Sequence, residues 1–365
     1  MPTTLADRTV PFLTSQFQRI FELSRQLKQP VNLGVGQPHF DVPDEIKSEA
    51  IRAIQQGMNG YTLPSGNGDL RQLIKTSLDK QNEKNNDVII ACGTLGALTL
   101  AMQAILNPDD ELLILDPYFV AYPQLAGLLG AKVTYISTYP HFQPDPDQVA
   151  RAITSKTKAF ILCSPGNPTG VVAEPARVKA LAELADIRGI WLISDEIYST
   201  FIYDQTHISP AKYAEHVIVC SSFSKTHALT GWRLGYAYGP APLIRAMIAI
   251  QQATFVCAPS MAQAAGMIAW DYAMDKYKKE YQTKRDWVLA NLNPRYEVTK
   301  PGGAFYVFPK CPAGSATQFS EKAIQNNLVI MPGNVFSQQD THFRISYAVD
   351  DTTLQRGVEI LNSMV

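Results

Sequence analysis

At 365 residues the chain is too long for one compact core and sufficient for a large domain with a smaller companion. Apolar residues make up 46% and charged residues 18%, and the formal net charge is −1 with no basic tract, so neither nucleic acid nor an anionic membrane surface is indicated as a partner. No run approaches the ~20 apolar residues of a membrane span.

The opening MPTTLADRTVPFLTSQFQRIFELSRQLKQP lacks the apolar core and small-residue cleavage site of a secretory signal, so a cytoplasmic protein is expected. Within it, Phe17, Ile20, Phe21 and Leu27 stand near helical spacing and predict a short helix. From about residue 87 to 240, strand-length apolar runs recur: DVIIAC, ELLILD, KVTYIS, KAFILC, GIWLIS, HVIVCS and LGYAYG. Helix-like blocks such as GALTLAMQAIL and ARVKALAELADI separate several of them. Continuous apolar runs indicate strands covered on both faces, and the alternation reads as an α/β sandwich with a mainly parallel sheet. Beyond about residue 270, a charged helical stretch precedes GGAFYVF, NNLVIMPG and HFRISYA, which predict a smaller α+β domain. The five cysteines (Cys92, Cys163, Cys220, Cys257, Cys311) are far apart with no C-x-x-C pair, so neither disulfides nor a metal site is expected.

In an open α/β sheet, ligands collect outside the carboxyl ends of the strands. Here those ends carry chemistry in succession. DVIIAC runs into Gly93-Thr94-Leu95-Gly96, KAFILC into SPGNPTG (164–170), GIWLIS into Asp195-Glu196-Ile197-Tyr198, and HVIVCS into Ser222-Phe223-Ser224-Lys225. Singly, each has a structural explanation: a cap, a tight turn, a solvated acid, a surface lysine. Four at successive strand ends indicate a ligand site.

With NPTG, D-x-x-Y, S-x-x-K and G-x-R-x-G in this order, the chain resembles the class I/II aminotransferases, pyridoxal-phosphate enzymes of fold type I. The likeness runs from NLGVGQPHFD (32–41) through GYTLPSGNGDLR (60–71) to HFRISYA (342–348). It implies a large domain (31–270) with a mainly parallel seven-stranded sheet sandwiched by helices. It also implies a small α+β domain (271–365) and an N-terminal arm and helix (1–30) that packs with the small domain. An aldehyde cofactor needs an amine nucleophile, the role of Lys225. Asp195 suits the pyridine nitrogen, whose proton a buried carboxylate holds. Tyr198 and Asn167 suit the phenolic oxygen. The backbone of Gly93, Thr94 and Leu95 at a helix start, with Ser222 and Arg233, forms a phosphate cradle. Phe119 matches the aromatic that stacks on the pyridine, with Tyr118 beside it as the other candidate. Arg344 matches the arginine that binds the substrate α-carboxylate as a bidentate pair, with the Gly36 amide assisting.

Tyr61 matches a tyrosine that reaches across a dimer interface to the partner subunit's phosphate, which implies a homodimer with shared sites; packing within its own subunit is the alternative. His39 departs from the family pattern and receives no role. Leu95 stands where the aspartate-preferring bacterial branch has a lysine for the distal carboxylate. The Leu95–Leu98 segment is closer to the branch acting on glutamine, methionine, kynurenine and aromatic amino acids. The expected reaction is transfer of an L-amino acid's amino group to a 2-oxo acid such as 2-oxoglutarate. Related proteins instead cleave C–S bonds by β-elimination or decarboxylate phosphorylated amino acids. Others serve as ligand sensors in DNA-binding regulators; the roughly thirty residues before NLGVGQPHFD are too few for a winged helix.

Overall fold

A computed structural model describes residues 6–9, 12, 16–25 and 27–365. All seven apolar runs of the central region are strands of one sheet: β2 (Asp87–Ala91), β3 (Glu111–Asp116), β4 (Lys132–Ser137), β5 (Thr157–Cys163), β6 (Trp191–Asp195), β7 (Val217–Ser222) and β8 (Gly235–Gly239). Their order is β2-β8-β7-β6-β5-β3-β4, and β8 alone runs against its neighbours. Alternate residues of one strand feed two different cores. Val88 and Ile90 pack toward the helices Gly68–Asn82 and Ser260–Trp270, and Ile89 and Ala91 toward Gly93–Ile105 and Ala241–Thr254. Both faces are therefore apolar, which is why these strands read as unbroken runs.

Local chemistry sets the helix limits. Asn67 caps Gly68–Asn82 by accepting from the Leu70 amide, and Pro175 opens Pro175–Arg188, which Gly189 ends at φ 61°.

A third core forms near the C-terminal region. There the antiparallel order β11-β12-β9 joins Met331–Pro332, Phe343–Ser346 and Tyr306–Val307, while β1 (Val31–Asn32) pairs in parallel with β10 (Leu328–Val329). Val31 and Leu33 thus pack with Phe305, Phe343 and Leu361, far along the chain. The predicted short helix is Gln16–Ser24; its Ile20 is buried against Ile324, Met331 and Phe336, and Arg19 pairs with Glu321 at 2.6 Å. Residues 1–5 and the side chains of Phe17 and Phe21 lie outside the described residues. No described helix is long and apolar enough to cross a membrane.

The reversed strand has a direct effect on chemistry. Because β8 runs antiparallel to β7, pairing Ser222 with Gly235, the connection 223–234 leaves and re-enters the sheet at the same rim. Lys225 and Arg233 therefore both lie outside the carboxyl ends of the parallel strands.

Candidate active site

A cavity of about 360 Å³ opens at this rim. Gly36, Thr94, Leu95, Phe119, Asn167, Asp195, Tyr198, Ser222, Lys225, Arg233 and Arg344 all stand on its wall. Gly93, which adjoins Thr94 in the chain, and Tyr61 are not part of its wall. Tyr118 also lies off the wall; its ring stacks on Tyr135 at 5.1 Å and its hydroxyl accepts from Gln338.

One end of the cavity suits an anion. The helix Gly93–Ile105 begins without a side-chain cap, so its first amides have no side-chain partner. Gly93 sits at φ 75°, and a Cβ there would meet Arg233 Nη2 at 2.6 Å. Arg233 is fixed against this helix start by donating to the carbonyls of Thr230 (2.9 Å) and Cys92 (3.2 Å). The Thr94 hydroxyl is buried without a hydrogen-bond partner, and Ser222 Oγ, accepting from the Ser224 amide, keeps its own proton to donate.

The middle holds an amine and a carboxylate. Lys225, in a single helical turn after β7, donates from Nζ to the Gly36 carbonyl at 2.7 Å. Burial, then the Arg344 and Arg233 cations, lower its pKa to about 8 against the pull of Asp195. Asp195 closes β6 and is 3% exposed. Burial raises its pKa to about 6, opposed by hydrogen bonds from the Tyr122 hydroxyl (2.7 Å) and the Ile197 amide (3.2 Å).

The far end holds a second cation. Arg344, on β12, is buried and has no carboxylate partner among the described residues. Its guanidinium lies between the rings of Tyr306 (4.6 Å) and Phe336 (4.5 Å) and donates to Asn167 Oδ1 (2.9 Å) and the Gly34 carbonyl (2.6 Å), leaving Nε unpartnered. Asn167 thereby has its carbonyl engaged and its amide hydrogens free. Phe119 meets Tyr122 edge-on at 5.6 Å. An anion seat, an amine of lowered pKa, a buried carboxylate and a second cation fit a phosphorylated aldehyde with an aromatic nitrogen, beside a carboxylate-bearing substrate.

Three residues escaped the sequence reading. Tyr122 holds Asp195, Tyr306 hydrogen-bonds Tyr198 hydroxyl to hydroxyl at 2.8 Å, and Phe336 covers Arg344. None lies in a motif, and nothing local in the sequence marks them. His39 is structural: it bonds to the Tyr281 hydroxyl (3.2 Å) and to Glu280 (2.8 Å).

A model of the family "Aminotransferase class I and II" matches residues 28–361. The chain is 34% identical to a probable aspartate aminotransferase of Methanocaldococcus jannaschii over 96% of both chains. It is 34% identical to the aspartate/prephenate aminotransferase of Thermus thermophilus, over 93% of this chain and 92% of that one. The solved Thermus thermophilus aspartate aminotransferase with maleate superposes with a TM-score of 0.94 at 33% identity, covering all of both chains. With a site of this composition on a fold of this order, the chain belongs to the class I and II aminotransferases, pyridoxal-phosphate-dependent enzymes that move an amino group between amino acids and 2-oxo acids.

Proposed function

We propose that the donor is an L-amino acid with an apolar, aromatic, glutamine-like or methionine-like side chain, and that the acceptor is a 2-oxo acid such as 2-oxoglutarate. The observation that carries this is the cation inventory of the cavity. Lys225, Arg233 and Arg344 are the only cations among the described residues of its wall, which also carries the apolar Leu95, Leu98 and Ile197. Arg344, a buried cation without a carboxylate, suits the α-carboxylate common to all substrates. Among the described residues of this subunit's wall, no further cation is left for a distal carboxylate.

When bound, pyridoxal phosphate supplies an electron sink conjugated to the transferred amino group. The chain's own residues do the rest. The amides of Gly93, Thr94 and Leu95, with Ser222 and Arg233, hold the phosphate. Asp195 would hold the proton on the pyridine nitrogen, Phe119 would face the ring, and Tyr198 and Asn167 would donate to the phenolic oxygen. Lys225 Nζ would hold the cofactor at its aldehyde carbon and, when released from it, would serve as the base for the proton of the substrate α-carbon. Arg344 and the Gly36 amide orient the α-carboxylate.

Two domains, 31–270 and 271–365, with an N-terminal arm, are supported by a C-terminal core distinct from the two cores of the sheet, although Val31, Leu33, Ile197, Tyr198 and Phe201 pack into that C-terminal core. A homodimer with shared sites is supported by an exposed apolar surface around Tyr61. Tyr61 and Leu63 are 86% and 70% exposed, and their loop is tied to the Phe255 region through Gln251 to Pro64 (2.5 Å) and Ser260 to Met58 (2.8 Å). An exposure this high argues against Tyr61 packing within its own subunit.

A panel of donors assayed with 2-oxoglutarate tests the substrate reading. Apolar, aromatic or methionine donors are expected to exceed aspartate by about tenfold or more in kcat/KM. The names of the relatives favour aspartate instead, and aspartate turnover equal to or above the others overturns the proposal. Pyruvate and ammonia released from a cysteine conjugate without an oxo acid would identify β-elimination.

A further inference from the structure

Tyr306 touches three groups of the site and belongs to no motif. It comes from β9, is 1% exposed and stands on the cavity wall. Its ring lies under the Arg344 guanidinium, and a Cβ added at Gly36 would stand 2.3 Å from its hydroxyl. That hydroxyl is held by close neighbours, and its hydrogen bond runs to Tyr198 at 2.8 Å.

A phenol has one proton to give. If Tyr198 commits its proton to the cofactor's phenolic oxygen, the bond between the two tyrosines runs from the Tyr306 O–H to the Tyr198 oxygen. An O–H that accepts a hydrogen bond is polarised and becomes a stronger donor. Stronger donation stabilises the phenolic oxygen as an anion and lowers the proton affinity of the nitrogen that joins Lys225 to the cofactor. We propose that Tyr306 is a positioning residue that sets this proton affinity through Tyr198. The inference rests on the assignment of Tyr198 made above. The Arg344 contact gives Tyr306 a second possible route, through the substrate carboxylate, and the two routes predict different readouts.

The measurement is the pH midpoint of the holoenzyme's visible absorption without substrate. Tyr306→Phe keeps the ring over Arg344 and removes only the hydroxyl. It is expected to raise the midpoint by about 0.3 pH unit, roughly a twofold gain in proton affinity. Tyr198→Phe should raise it further, and the double variant should match Tyr198→Phe alone. Gly36→Ala, whose methyl group forces the Tyr306 hydroxyl aside, should shift the midpoint upward as well and serves as an independent perturbation of the same bond. An unchanged midpoint in Tyr306→Phe beside a shifted one in Tyr198→Phe overturns the relay and leaves the Tyr198 assignment standing. An unchanged midpoint in Tyr198→Phe overturns both. Shifts that add in the double variant, or an effect confined to substrate KM, show that Tyr306 acts by another route and also defeat the proposal.

Discussion

At Lys225, the proposed role as amine nucleophile draws on a lowered pKa with a named origin: burial first, then the Arg344 and Arg233 cations. The sign follows directly, since burial and like charge both disfavour the protonated amine, and only the neutral amine attacks an aldehyde. At pH 7.5 a pKa of about 8 leaves roughly a quarter of the amine neutral, against about one part in a thousand for an ordinary lysine. Mixing the apoprotein with pyridoxal phosphate should therefore give an association rate that rises with pH and levels off above about 8. A rate still climbing toward pH 10 would contradict the environment described for this side chain. Lys225 and Asp195 were legible in the sequence because each sits in a short motif at a strand end, and Arg344 only through the family resemblance of HFRISYA. Tyr122 and Tyr306 were not. They reach Asp195 and Tyr198 from 73 and 108 residues away, and only the folded sheet brings them close.

Among elements, the junction of β2 with the helix Gly93–Ile105 carries a backbone requirement that bears directly on the site. Gly93 is in the left-handed region, where a side chain costs about 1–2 kcal/mol, and its missing Cβ leaves the space that Arg233 fills. Gly93→Ala is expected to displace the guanidinium and weaken cofactor retention by about tenfold or more, equivalent to ~1.4 kcal/mol. Loss of colour on dialysis would report it, and retention equal to the parent protein would mean the contact is dispensable. The seven strands were readable because burial on both faces leaves an unbroken apolar signature. Their order was not, since β8's reversal depends on which neighbour it meets. The pairing of β1 with β10 was equally hidden, because two-residue strands are too short to carry a periodicity.

For the whole molecule, the assembly is the quantity to test. A Lys225→Ala subunit and a Tyr61→Phe subunit, combined in one heterodimer, distinguish a shared site from a private one. If Tyr61 serves the partner, one site carries both defects and the other neither, so the intact site binds the cofactor with parental affinity. Uniformly weakened binding at every site that retains Lys225, or a fully active monomer on dilution, would overturn the shared site. The pairing of β1 with β10 has a consequence for how the protein is made. Arg344 reaches the Gly34 carbonyl across 310 residues of chain, so the site proposed for the carboxylate closes a very long loop. On the ribosome, the sheet, Lys225 and the phosphate cradle emerge first and are free to settle as a unit. The cavity wall is complete only after residue 344 has been synthesised, so on the proposed assignments a nascent chain acquires the means to hold its cofactor well before the means to use it.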